Sequence, residues 1–291
     1  MTATYKRFKA RQLNGAGGAE ITGVNLADEL DDETIAGIRL ALRDCLVLTF
    51  PDQPLDDAAL ARFSARLGPF AVEPFFEGEA THPNVFAVVK EADETKRANF
   101  GGSWHSDLSF QQIPASYTLL HARDLPPCGG DTLFSNQYLA FESLSSGMRG
   151  LISGLSAWHS ARRTLGPQSV LSDPNYLRSM KIKTGELAFN EYLQPVVRLH
   201  PESKRAALYV NKVYTQRFEN MTEAESAGLL GFLYEHSVRP EFIVRVVWKP
   251  LTLTIWDNRA VQHLAVNDYD GFRREMRRTT VAGEQPEPLI R

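Results

Sequence analysis

A chain of 291 residues, 43% hydrophobic and 23% charged, has the balance of an ordinary globular protein. Its formal net charge of -3 excludes the strong basic field that nucleic acid or an anionic membrane would attract, so any anion must be held by a few placed arginines. No stretch approaches the ~18 apolar residues of a membrane span, and Met1 to Gln12 lacks the apolar run of a signal peptide, so a cytoplasmic chain is expected. The two cysteines, Cys45 and Cys128, lie far apart; they suit a reducing compartment and are expected to be buried small hydrophobes.

Taken in chain order, Gly15 to Gly18 predicts a turn before a short strand over Ala19 to Leu26. Asp31 to Arg43 has helical spacing through Ile35, Ile38 and Leu42, and Cys45 to Phe50 reads as a buried strand closed by Pro51. Asp56 to Leu67 predicts a second amphipathic helix, with Leu60, Phe63 and Leu67 on one face. Beyond Asn84 the pattern turns to short strands: Val85–Lys90, Tyr117–Leu120, Thr132–Phe134, Ala207–Asn211, Ile243–Trp248 and Leu251–Trp256. Pro126-Pro127, Gly129-Gly130 and Lys249-Pro250 punctuate them. One helix over Thr222 to His236, opened by a capping box at Thr222 and Glu225, interrupts the series. Many short strands with few helices predict a mostly β fold, a double-stranded β-helix (jelly-roll) core with flanking α-helices, in one domain over residues 1–291.

The chemistry-bearing residues fall in two distant segments. In Ser103-Trp104-His105-Ser106-Asp107, His105 and Asp107 are two apart and share a face if the segment is a strand. Alone, such a pair is common by chance. Far along the chain, Trp256-Asp257-Asn258-Arg259 runs towards His263, and the basic strand Phe272 to Thr280 puts Arg274, Met276 and Arg278 on one side. Two imidazoles and a carboxylate suit a metal with open positions, and arginines suit carboxylate ligands because the guanidinium fork makes paired charge-assisted bonds. The residues alone leave a zinc hydrolase open, since His and Asp also bind zinc.

The joint pattern, His-x-Asp, a distant His and an Arg eleven residues beyond it, resembles the taurine dioxygenase family, which includes aryloxyalkanoate dioxygenases and alkylsulfatases. The resemblance starts at Gly18–Val24 and runs through Trp104–Asp107, Gly129-Gly130-Asp131-Thr132 and Trp256–Arg259. It implies an iron(II)- and 2-oxoglutarate-dependent dioxygenase that consumes O2, hydroxylates a small anionic organic acid, and releases succinate and CO2. It also implies a homo-oligomer with no nucleic-acid or membrane partner. By the same resemblance His105, Asp107 and His263 are the iron ligands, Thr132 and Arg274 bind 2-oxoglutarate, and Arg278 faces the primary substrate.

Two positions depart from the taurine enzymes, which hold the aminosulfonate with a histidine and an asparagine where this chain has Glu73 and Gly101. A more apolar substrate pocket is expected from Phe75, Phe76, Leu108, Phe110, Thr164 and Leu165, with Glu73 meeting a cationic end of the substrate. Tyr209 to Arg217 and Met221 to Ser226 look closer to the aryloxyalkanoate members. Taurine dioxygenase proper stays open, as does a biosynthetic hydroxylase of an amino acid-like or carrier-tethered substrate, or a non-catalytic member of the fold. His82, His121, His159, His200 and His236 have no ligand spacing to the other three and are expected on the surface or in hydrogen-bonded core; Arg162 and Arg163 are expected to be solvated.

Overall fold

The computed structural model describes residues 2–94, 100–173 and 179–289. It is rich in strands. An eight-stranded sheet runs, edge to edge, Thr2–Thr4, Lys9–Asn14, Gly17–Thr22, Val47–Phe50, Leu253–Asp257, Ala115–Asp124, Arg274–Ala282 and Phe86–Lys90. All of its pairings are antiparallel except Gly17–Thr22 with Val47–Phe50. A second sheet of three strands, Ile243–Val246, Thr132–Asn136 and Val261–Ala265, faces it.

The period of two along each strand sorts side chains between the faces of the large sheet. Leu48, Leu119, Leu253 and Ile255 point outward and pack with Ile38, Leu42, Leu60 and Phe63 of two covering helices. Those helices, Asp32–Cys45 and Asp57–Leu67, begin where the sequence signals them: Asp31 caps the first through the Thr34 amide, and Asp56 caps the second through Ala59. Ser64 and Thr279, joined through their hydroxyls at 2.7 Å, tie the second helix to the sheet. On the inner face Val47, Leu120, Ala122, Trp256 and Met276 meet Phe134, Val244 and Val261 of the three-stranded sheet.

A third apolar cluster joins the helix Glu223–Ser237 to the rest through Leu230 and Leu233, packed with Phe141, Val197 and Phe218. Its capping box is formed as expected, Thr222 to the Glu225 amide and Glu225 back to the Thr222 amide. Three predicted strands end earlier than the pattern suggests: Gly23 to Leu26 lies beyond Gly17–Thr22, Tyr209 to Asn211 lies beyond Ala206–Leu208, and Val247-Trp248 lies beyond Ile243–Val246. No helix among the described residues is long and apolar enough to cross a membrane. Cys128 is exposed rather than buried, and Cys45 is half-buried; the Cys128 loop turns at solvent beside Gly129-Gly130, where no core is available to it.

Candidate active site

Between the two sheets lies a cavity lined by His105, Asp107, Thr132, His263, Arg274 and Arg278, with Val88, Phe100, Gly101, Leu120, Trp256 and Ala265 as its apolar wall. His105, Asp107 and His263 come together there, all buried, with ligand atoms within 4.8 Å of one another. His105 Nε2 stands 3.6 Å from one Asp107 oxygen, and His263 Nε2 stands 3.9 Å from the other.

The backbone that brings them together differs from the strand expected over His105–Asp107. His263 lies within the strand Val261–Ala265, and His105 forms an isolated bridge to it through both amides, 3.1 Å and 2.8 Å. Asp107 falls in the turn that follows, where Leu108 takes a left-handed φ of 54°. Its orientation is set by neighbours rather than by pleat: the Asn258 side chain accepts from the Asp107 amide at 3.1 Å, and Thr118 donates to the carboxylate at 2.7 Å. Asn258 in turn donates to Thr118 and accepts from the Trp256 indole. The quartet Trp256–Arg259 therefore supports the carboxylate. His105 Nδ1 donates to the Ser103 carbonyl at 2.7 Å, which leaves Nε2 free to bind a cation.

Electrostatics favour the ligand forms of Asp107 and His263. Burial alone would raise the Asp107 carboxyl, but His263 and the permanent charge of Arg278 outweigh it and hold the group well below the usual carboxylate range. Burial, helped by His105, pushes His263 down to about 3. Deprotonated nitrogen and carboxylate oxygen around one point are what a divalent cation requires.

Arg274 carries the second observation. Its Nε and Nη2 are buried and have no hydrogen-bond partner, although its guanidinium stacks within about 6 Å of Trp248 and Tyr269. A buried unpaired cation is strongly unfavourable unless a ligand completes it. Thr132 accepts from the Trp248 indole at 3.0 Å, so its own hydroxyl proton remains available on the same wall. The residues therefore fit both a metal and a carboxylate ligand extending towards Arg274.

Arg278 and Met276 share the inner face with Arg274, as the spacing predicted. Glu73, however, does not wait for a cationic ligand: its side chain is buried and accepts from Arg278 and from Thr280. That leaves Glu73 as the internal counter-charge of the arginine, and Phe76 covers the same guanidinium at 5.2 Å. Gly101 lines the cavity with φ 78°. Leu108, Phe110 and Leu165 form an apolar cluster with Phe75 and Tyr214, and Tyr214 lies edge-on to His105. Thr164 is spent on the Ala161 carbonyl. Arg162 and Arg163 are not simply solvated, since both bind Glu223. His159 bonds Thr215, and His200 bonds Asp257, in the buried core.

The model of the taurine catabolism dioxygenase TauD, TfdA family matches residues 9–280 of the chain. An alkylsulfatase of Acinetobacter baylyi is 33% identical over 96% of this chain and 86% of its own. An alpha-ketoglutarate-dependent sulfate ester dioxygenase of Pseudomonas putida is 35% identical over 92% and 87%. Among solved structures, a taurine dioxygenase from Burkholderia xenovorans superposes with a TM-score of 0.79 at 31% identity, covering 97% of this chain and 93% of that one.

Proposed function

Because the chain belongs to the taurine catabolism dioxygenase TauD, TfdA family and is an iron(II)- and 2-oxoglutarate-dependent dioxygenase, we propose that it hydroxylates a small anionic organic acid of the sulfonate, sulfate ester or aryloxyalkanoate type. Succinate and CO2 are the co-products. In this reading the two facing sheets are the halves of a jelly-roll core, and residues 1–291 form one domain around it. The observation that carries the assignment is the unpaired Arg274 guanidinium on the same cavity wall as the His105, Asp107 and His263 cluster.

His105, Asp107 and His263 would hold the metal, and Arg274 with Thr132 would hold the far carboxylate of 2-oxoglutarate. When bound, iron with 2-oxoglutarate activates O2 for attack on a C–H bond. The chain's own residues do the positioning. Asn258 and Thr118 fix the carboxylate ligand, the Tyr214 and Phe110 rings wall off water beside His105, and Arg278 faces the acid group of the substrate. A screen of alkyl sulfates, alkanesulfonates including taurine, and aryloxyalkanoates for substrate-dependent succinate formation tests the assignment. Coupled turnover with at least one class is expected; none with any of them overturns it.

A further inference from the structure

Arg278, which lines the cavity, is already satisfied by a carboxylate of its own chain. Glu73 leaves only 1% of its side chain exposed and shares Oε1 between Arg278 and the Thr280 hydroxyl, the latter at 2.7 Å. Its Oε2 is buried and accepts nothing. Phe76, three residues on, closes over the guanidinium and keeps water from screening the pair. A carboxylate is not buried without a bond on one of its oxygens unless a nearby cation holds it there.

The charges can be counted. Iron(II) and Arg274 bring three positive charges, and Asp107 with the two carboxylates of 2-oxoglutarate brings three negative ones. The centre is balanced before any substrate arrives. Arg278 would then offer a free positive charge to an acid, but Glu73 cancels it.

We propose that Glu73 is a positioning residue that sets substrate specificity by discounting the charge of Arg278, so that the cavity takes singly charged acids loosely and discriminates little between an acid and its neutral polar isostere. This rests on the assignment of Arg278 to the acid group of the substrate. The arginine keeps N–H donors that Glu73 and Thr280 do not use, so an acid still has a directed partner. What it lacks is a net attraction. The arrangement opposes a doubly charged group most, because a phosphate ester would meet Glu73 as well as the arginine.

The test compares wild type with Glu73→Gln and Glu73→Asp, all loaded with iron(II) and 2-oxoglutarate. For an alkyl sulfate or alkanesulfonate, Glu73→Gln is expected to lower KM about tenfold, with kcat changed far less. KM for neutral congeners, the matching sulfonamide or alcohol, is expected to stay put, and Glu73→Asp, which keeps the charge, is expected to lower KM for the acids far less than Glu73→Gln does. An unchanged or raised KM for the acids overturns the proposal, as does an equal shift for acids and neutral congeners, which would mark a purely structural role. Competitive binding of propanesulfonate and propanesulfonamide to wild type, measured without oxygen, needs no variant and no turnover. A preference for the acid below about tenfold is expected; one above about a hundredfold overturns the proposal. If no acid in the screen is turned over, the substrate assignment fails by itself, and the binding pair still judges Glu73.

Discussion

A guanidinium with two buried, unpartnered nitrogens is the most informative single side chain in the molecule, because the free energy lost there must be returned by something that binds. Arg274→Lys retains a charge but loses the planar fork, and Arg274→Ala loses both. KM for 2-oxoglutarate is expected to rise at least tenfold in the first and at least about thirtyfold in the second, with the KM for the primary substrate moved far less. Equal rises in both constants would place Arg274 elsewhere in the reaction. A second residue-scale expectation concerns Thr118, whose hydroxyl donates to Asp107 and accepts from Asn258. Thr118→Val removes that support without opening space, so metal affinity should fall by about tenfold or more in a titration with iron(II) or manganese(II). No change would show that Asn258 suffices. That His105, Asp107, His263 and Arg274 line one cavity is expected from spacing and resemblance, because metal and carboxylate chemistry restricts residue type. The role of Thr118 is not, since a threonine inside an apolar strand looks like any other β-former. Asn258 could have been suspected from Trp256–Arg259, a polar quartet where a buried strand ends. The partnership of Glu73 with Arg278 joins residues 205 apart and has no sequence signal.

At the scale of elements, the site depends on how the inner face of one sheet is held against the bridge between His105 and His263. The strand Arg274–Ala282 is readable because alternation is enforced by burial: odd positions such as Thr279 and Val281 face the helices, while Arg274, Met276 and Arg278 face inward, the two arginines into the cavity. The segment around Asp107 is a bridge followed by a turn rather than a strand, and a two-residue spacing is compatible with either. Gly129-Gly130, just before the strand Thr132–Asn136, is another element whose role became visible only in three dimensions. Gly130 has φ 70°, and a Cβ there would stand 3.1 Å from Arg274 Cδ and Nε. Gly130→Ala therefore meets a left-handed backbone cost of about 1 kcal/mol and a push on the arginine. KM for 2-oxoglutarate is expected to rise several-fold while the fold persists. Gly15→Ala, with nothing within 4 Å of its added methyl, serves as the comparison and should leave KM alone. A Gly130→Ala enzyme with wild-type KM would mean that the arginine yields without penalty.

For the molecule as a whole, the buried histidines tie stability to pH. His121 lies under the outer helices, fully buried, with Nε2 donating to the Gln53 carbonyl at 2.8 Å and Nδ1 without a partner. Burial pushes it down to about 4, and burial pushes His159 down to about 3. An unfolded histidine takes up its proton near pH 6.5. Between about 6.5 and the folded value the unfolded chain holds more protons than the native one, so stability falls as the pH falls through that window. Above about 6.5 neither state is protonated and the contribution is flat; below the folded value both are protonated and the loss stops growing. For His121 the window runs from about 6.5 to about 4, which at 1.36 kcal/mol per unit makes a loss of about 3 kcal/mol. His121→Gln retains a donor for the Gln53 carbonyl and removes the titration. Thermal melts at a series of pH values should therefore show a shallower fall for this variant than for wild type between pH 6.5 and 4, whatever its starting Tm. Parallel curves would mean that His121 titrates in the native state at its ordinary value, and that the sheet-to-helix layer admits water there.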